Sequence, residues 1–190
     1  MTEDALRFRC TACGECCRRL RAAVTDRDLE RLVHVTQKSA AELVEWLAPD
    51  AVDMTGEPES FVELAEGRRL MALKQRDGAC VFLDADGRCS VHRARPLDCR
   101  QYPFDVSGAE TAREIRLLPL ADWCAFEKDG DNPRGEVLEA DRSRWSELRA
   151  YQARLAAWNR LARHRRRLGH RPRDAREFLE FLGLGSAPSG

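Results

Sequence analysis

Four thiols stand within one short run, C-T-A-C-G-E-C-C, which holds Cys10, Cys13, Cys16 and Cys17. A core has no use for so many adjacent cysteines, and a thiolate is a soft donor suited to Zn²⁺ and to iron–sulfur clusters. C-x-x-C lets two sulfurs face one ion from a tight turn, and the second x-x-C brings in a third. Gly14 lies inside this loop, where a positive φ would let the backbone curl around an ion. Cys17 must diverge from its neighbour Cys16, so it is expected to face a second ion or to remain a spare thiol.

The other four thiols are Cys80, Cys89, Cys99 and Cys124. Val81-Phe82-Leu83 and Cys89-Ser90-Val91 read as strands joined by the turn Asp84-Ala85-Asp86-Gly87. That loop length sets Phe82 opposite Cys89, which puts Cys80 on the same face and diagonal to Cys89. Asp84 and Asp86 are read as turn residues, since D-x-D-G lacks the remaining oxygens of a calcium loop. Arg95-Pro96 opens a helical turn that delivers Cys99 and ends at Pro103. His92 is a possible nitrogen ligand, but with eight thiols at hand it is read as a hydrogen-bonding neighbour. Arg93, Arg95 and Arg100 would offset the negative charge of a thiolate-rich site and favour deprotonation, if they are not ordinary surface arginines.

Composition decides between metal and disulfides. The 190 residues suffice for a real core, and 32 basic against 32 acidic side chains give no net pull toward a polyanion. No apolar run approaches the roughly 18 residues of a membrane span. The charged N-terminus lacks an apolar signal core, so a cytoplasmic location is expected. In a reducing cytosol the eight cysteines are read as metal ligands rather than as a disulfide frame.

Supporting elements follow from periodicity. Capping boxes at Thr25/Asp28 and Ser39/Glu42 start two short amphipathic helices, the second carrying Leu43, Val44, Trp46 and Leu47 up to Pro49. They are expected to pair as a hairpin over the metal region, with residues 50–58 a loop. Phe61–Leu64 and Arg69–Leu73 predict a β-hairpin around Glu66-Gly67, and Ile115–Leu118 a further strand ending at Pro119. Residues 129–135 read as a linker or exposed loop. Beyond it Leu138, Trp145, Leu148, Tyr151, Leu155, Trp158 and Leu161 mark one long amphipathic helix. Its basic end, Arg160 to Arg173, is read as a solvated helix terminus rather than a nucleic-acid surface. A last short helix carries Phe178, Leu179 and Leu182. The expected fold is α+β: a small, irregular, cysteine-rich metal-binding domain over residues 1–128, a helical extension over 136–182 packed on it, and a disordered tail over 183–190.

The blocks C-x-x-C-G-x-C-C, G-A-C-V-F-L, G-R-C-S-V-H, R-P-L-D-C-R-Q-Y-P-F and W-C resemble the bacterial CxxCxxCC, or YkgJ-type, cysteine-cluster family. The resemblance spans about residues 8 to 125. It implies a zinc- or iron-chelating domain and makes Cys10, Cys13, Cys16, Cys17, Cys80, Cys89, Cys99 and Cys124 counterparts of the family's cysteines. Three functions are open. The first is binding of iron, foremost as an iron–sulfur cluster, in a redox, sensing or maturation role. Here C-x2-C-x2-C is like the start of a ferredoxin motif whose fourth ligand comes from farther along the chain. The second is a structural Zn²⁺ module that binds a protein or nucleic acid. The third, by resemblance of the cysteine pattern to flagellin lysine N-methylases, is an iron–sulfur-dependent protein methyltransferase.

Overall fold

The computed structural model describes residues 7–52, 58–108, 113–118, 124–131 and 133–185. Gly56, Pro119, Asp122 and Trp123, and the tail from 186, lie outside the described residues. The architecture is α+β, and among the described residues it has four small antiparallel sheets with helices around them.

The centre is a three-stranded sheet in the order β2 (Val44–Leu47), β4 (Gly67–Leu73), β3 (Val62–Leu64). β3 and β4 form the expected hairpin, with Leu64 paired to Gly67 and Val62 to Arg69. β2 departs from expectation. The Ser39/Glu42 capping box is made, but its helix, α3, runs only over Ala40–Leu43. Val44, Glu45, Trp46 and Leu47 then pair in register with Leu73, Ala72, Met71 and Leu70. A β-branched and an aromatic residue alternating beside an open strand edge gain more from the ladder than from another helical turn. Instead of a helix hairpin there is one full helix, α2 (Asp26–Thr36), with Asp28 and Thr25 closing its capping box.

α5 (Arg134–Arg167) is 34 residues long, about 50 Å. Its buried stripe is Val137, Asp141, Leu148, Tyr151, Leu155 and Trp158. The stripe starts one residue earlier than the sequence suggests, and Leu161 is left exposed. Trp158, Leu155 and Tyr151 join Phe178, Leu179 and Leu182 at the last helix, α6 (Ala175–Phe181), in one core with Leu29, Leu32, Leu43, Val62 and Met71. Full burial of one such aliphatic or phenyl side chain contributes roughly 2–3 kcal/mol. A second cluster of Phe104, Ile115 and Val137 lies under the hairpin of β7 (Phe104–Ser107) and β8 (Glu114–Leu117). Part of the basic run from Arg160 to Arg173 is paired. Arg163 and Arg166 reach Glu63 at 2.7 and 3.7 Å, and Arg171 reaches Glu177 at 3.0 Å. No helix of the described residues is long and apolar enough to cross a membrane.

Candidate metal centre

All eight cysteines are free thiols, and five separate segments carry them. Cys10 ends β1 (Arg9–Cys10), which pairs with β9 (Phe126–Glu127) so that Cys10 faces Phe126. Cys124 stands two residues before Phe126, just outside the ladder, and is brought to the same junction as Cys10. The Thr11 hydroxyl donates to the Ala125 carbonyl across the same junction. The segment read as a linker is in fact tied here. Arg9 makes a two-pronged contact with Asp129, both bonds 2.8 Å, and Gly130 lies so close to the Phe8 backbone that a Cβ would be 2.2 Å from its carbonyl oxygen.

Cys13 precedes Gly14, which has the positive φ expected of it, +72°, and caps α1 (Glu15–Arg19). That short helix carries Cys16 and Cys17 and packs against β6 (Ala79–Cys80), which ends on Cys80. Arg18 steadies the loop by donating to the Cys13 carbonyl at 3.1 Å. Cys89 pairs in an isolated bridge with Leu83, not with Phe82. The Asp84 carboxylate explains the shift. It accepts from the backbone N–H groups of Asp86 and Arg88, at 3.0 and 2.8 Å, and closes a loop one residue longer than expected. Val81 and Phe82 form a turn rather than a strand, with the Leu83 N–H bonded to the Cys80 carbonyl at 2.9 Å. Cys80 and Cys89 both lie against the main core. Cys99 is central in α4 (Leu97–Gln101), the helical turn expected after Pro96.

Electrostatic coupling reports which thiols are neighbours. The Cys16 and Cys17 thiols hydrogen-bond to each other, which holds Cys16 below and Cys17 above the ordinary thiol pKa. Burial, and then the Cys89 and Cys16 thiols, push Cys80 up. Burial also raises Cys99, helped by Asp98, Cys80 and Cys16. Cys124 is pushed up to about 11 by burial, by Cys13, to which it hydrogen-bonds, and by Cys10 and Cys16. Cys10 and Cys13 thus act on Cys124, whereas Cys80 acts on Cys17 and Cys99, and Cys89 acts on Cys17 and Cys80. Cys16 acts on both groups. Among the described residues no three Cys, His, Asp or Glu side chains already stand in the arrangement that would hold an ion. The donor set fits a soft metal by its chemistry, since every group in it is a thiol.

The surroundings are basic, as anticipated for Arg95, whose charge lowers the pKa of Cys16 and Cys89. Arg100 instead donates to the carbonyls of Arg95 and Arg93, at 3.0 and 2.7 Å. His92 Nε2 lies 3.0 Å from the Arg95 guanidinium, which can only donate, so that nitrogen's lone pair is engaged. The charge of Arg95, then burial and Arg100, lower the His92 pKa. Tyr102 was not singled out by the sequence reading. Its phenol is raised by burial and then by Cys124, Cys16 and Cys13, which sets it among three thiols. The signal was its place three residues beyond Cys99, at the end of the same helical turn.

Residues 9–125 match the model of the CxxCxxCC family, described as a proposed zinc- or iron-chelating domain. No curated protein and no solved structure matches the chain.

Proposed function

The chain belongs to the CxxCxxCC family, and from that membership we propose that it is a metal-binding protein whose eight cysteines chelate iron, foremost as iron–sulfur clusters. Two sets of four are proposed: Cys10, Cys13, Cys16 and Cys124, and Cys17, Cys80, Cys89 and Cys99. The carrying observation is the approach of Cys124 to Cys10 and Cys13 at the β1–β9 junction. It supplies the fourth thiol that C-x2-C-x2-C lacks within its own run. The second set supports the same reading, because Cys17, Cys80, Cys89 and Cys99 come from separate elements and are linked electrostatically through Cys80. A bound cluster would supply one-electron chemistry for a redox, sensing or maturation role, and the protein residues bind it, orient it and balance its charge through Arg95.

Anaerobic purification followed by elemental analysis and an absorption spectrum of one sample tests this. Iron with acid-labile sulfide and a brown absorption bleached by dithionite is the expected result. Stoichiometric zinc in a colourless protein would replace the iron reading with closed tetrathiolate zinc sites. Absence of any bound metal after reconstitution with either would end the proposal.

A further inference from the structure

α4 carries Cys99 yet spans five residues, too short to be stable by itself. Something else must hold its thiol in place. Asp28 Oδ1 accepts the Leu97 N–H at 3.0 Å, and Arg100 ties the helix to the preceding 3₁₀ turn, His92–Ala94. Further contacts come from α5, beyond the end of the family match at residue 125. Arg144 Nε donates to Asp98 Oδ1, and Gln101 Nε2 reaches Asp141 Oδ1 at 3.5 Å. Asp141 is 1% exposed and also faces Arg113 at 3.8 Å. Asp98 and Gln101 flank Cys99 on either side. A small cavity opens between α4, α2 and α5, lined in part by Thr25, Asp28, Leu97, Asp98, Arg144 and Tyr151.

We infer that Arg144 is a positioning residue of the metal centre: through Asp98 it sets the orientation of α4 and so aims the Cys99 thiol at the ion it shares with Cys17, Cys80 and Cys89. This rests on the metal-binding reading above. It makes the long helix a working part of the centre rather than a passive appendage. Groups that orient metal ligands in this way typically alter affinity by roughly 10- to 100-fold when removed.

The test is an anaerobic Co²⁺ titration of the reduced full-length chain, following the thiolate-to-cobalt charge-transfer absorption against a competing chelator. Arg144→Ala and Asp98→Asn should each weaken about half of the charge-transfer signal by roughly 10-fold or more. The half assigned to Cys10, Cys13, Cys16 and Cys124 should stay as it was. Arg144→Lys, whose ammonium can still reach Asp98, should keep most of the affected half. In a Cys99→Ser background, Arg144→Ala should add little. Variants with wild-type Co²⁺ affinity in both halves would overturn the inference while leaving metal binding intact. A wild-type chain that takes up no Co²⁺ would overturn the inference, and the metal-binding reading would fall with it only if iron and zinc are not held either. Loss of helical circular dichroism in Arg144→Ala and Asp98→Asn alike would also overturn it, because the pair would then be holding the fold rather than the thiol.

Discussion

Gly14 is where a single atom matters most. Its φ of +72° is a conformation that costs an L-residue about 1–2 kcal/mol. An added Cβ would also lie 2.8 Å from the Gly87 carbonyl oxygen, a backbone atom that cannot swing away. Gly14→Ala should therefore lower the melting temperature and loosen the loop that aims Cys13 and Cys16. Metal retention after a chelator challenge measures the second effect, and an unchanged retention half-life would show that the loop tolerates the strain. The thiol pKa values give a pH prediction with a definite sign. Cys80, Cys89, Cys99 and Cys124 are all raised, Cys124 to about 11, so the metal-free fold favours their protonated forms. That stability is present below the ordinary thiol value of about 8.5 and is lost as pH rises toward 11. Metal reverses the dependence, because each ligand must first lose its proton. Reduced, chelator-treated protein should thus melt at progressively lower temperature above about pH 8.5, with a shallower decline in Cys124→Ser. The metal-loaded protein should release its metal as pH falls. A metal-free melting temperature that rises with pH would contradict the assignment of buried, mutually repelling thiols.

Among the elements, β3 shows how the long helix serves the sheet. Among the described residues it pairs only with β4, and an unpaired strand edge is a liability. α5 closes that edge with side chains: Asn159 Oδ1 accepts the Glu63 N–H at 2.7 Å, Asn159 Nδ2 donates to the Phe61 carbonyl at 2.9 Å, and Trp158 Nε1 donates to the Glu63 carbonyl at 2.8 Å. Asn159→Ala strands two backbone groups at once. It should cost about 1–3 kcal/mol for each that water cannot reach. Urea unfolding would read this directly, and a loss below about half a kcal/mol, the low end for one hydrogen bond, would mean that solvent replaces the amide. Such contacts are invisible in a one-dimensional pattern, since Asn159 stands 96 positions from Glu63. What sequence could supply was local chemistry. The Thr25/Asp28 and Ser39/Glu42 boxes, the positive φ of Gly14, the β3–β4 hairpin and the helical turn under Cys99 each depend on neighbours within a few residues. The readings that failed needed distant partners or side-chain detail. Val44–Leu47 became a strand only because β4 offered an edge, and the Asp84 carboxylate moved Cys89 one residue along its ladder. The thiols were legible as a set, whereas the grouping of Cys124 with Cys10 required the β1–β9 pairing.

On the scale of the whole molecule, the segment that binds metal and the segment that carries no cysteine share their interior. Trp158, Leu155 and Phe178 are each 0% exposed, and they close the same core as Leu29, Leu32 and Val62, likewise 0% exposed. Cutting the chain after residue 128 would strip that face from β3, β4 and α2 and uncover the edge of β3. It would also remove the Asp141 and Arg144 contacts to α4. Bound metal could offset part of the loss, because ligands drawn from five segments cross-link the remainder. Metal cannot, however, replace the missing apolar wall, since of the eight thiols only Cys80 and Cys89 pack against that core among the described residues. The 1–128 chain should therefore lack a cooperative thermal transition without metal and regain at most a partial one with it. In the intact protein Trp158→Ala should cost about 3–5 kcal/mol. Circular-dichroism melts of both, recorded with and without added metal, decide the point. A 1–128 chain that melts cooperatively in the metal-free state would show that the cysteine-bearing segment has a sufficient core of its own, and that α5 and α6 merely rest on it.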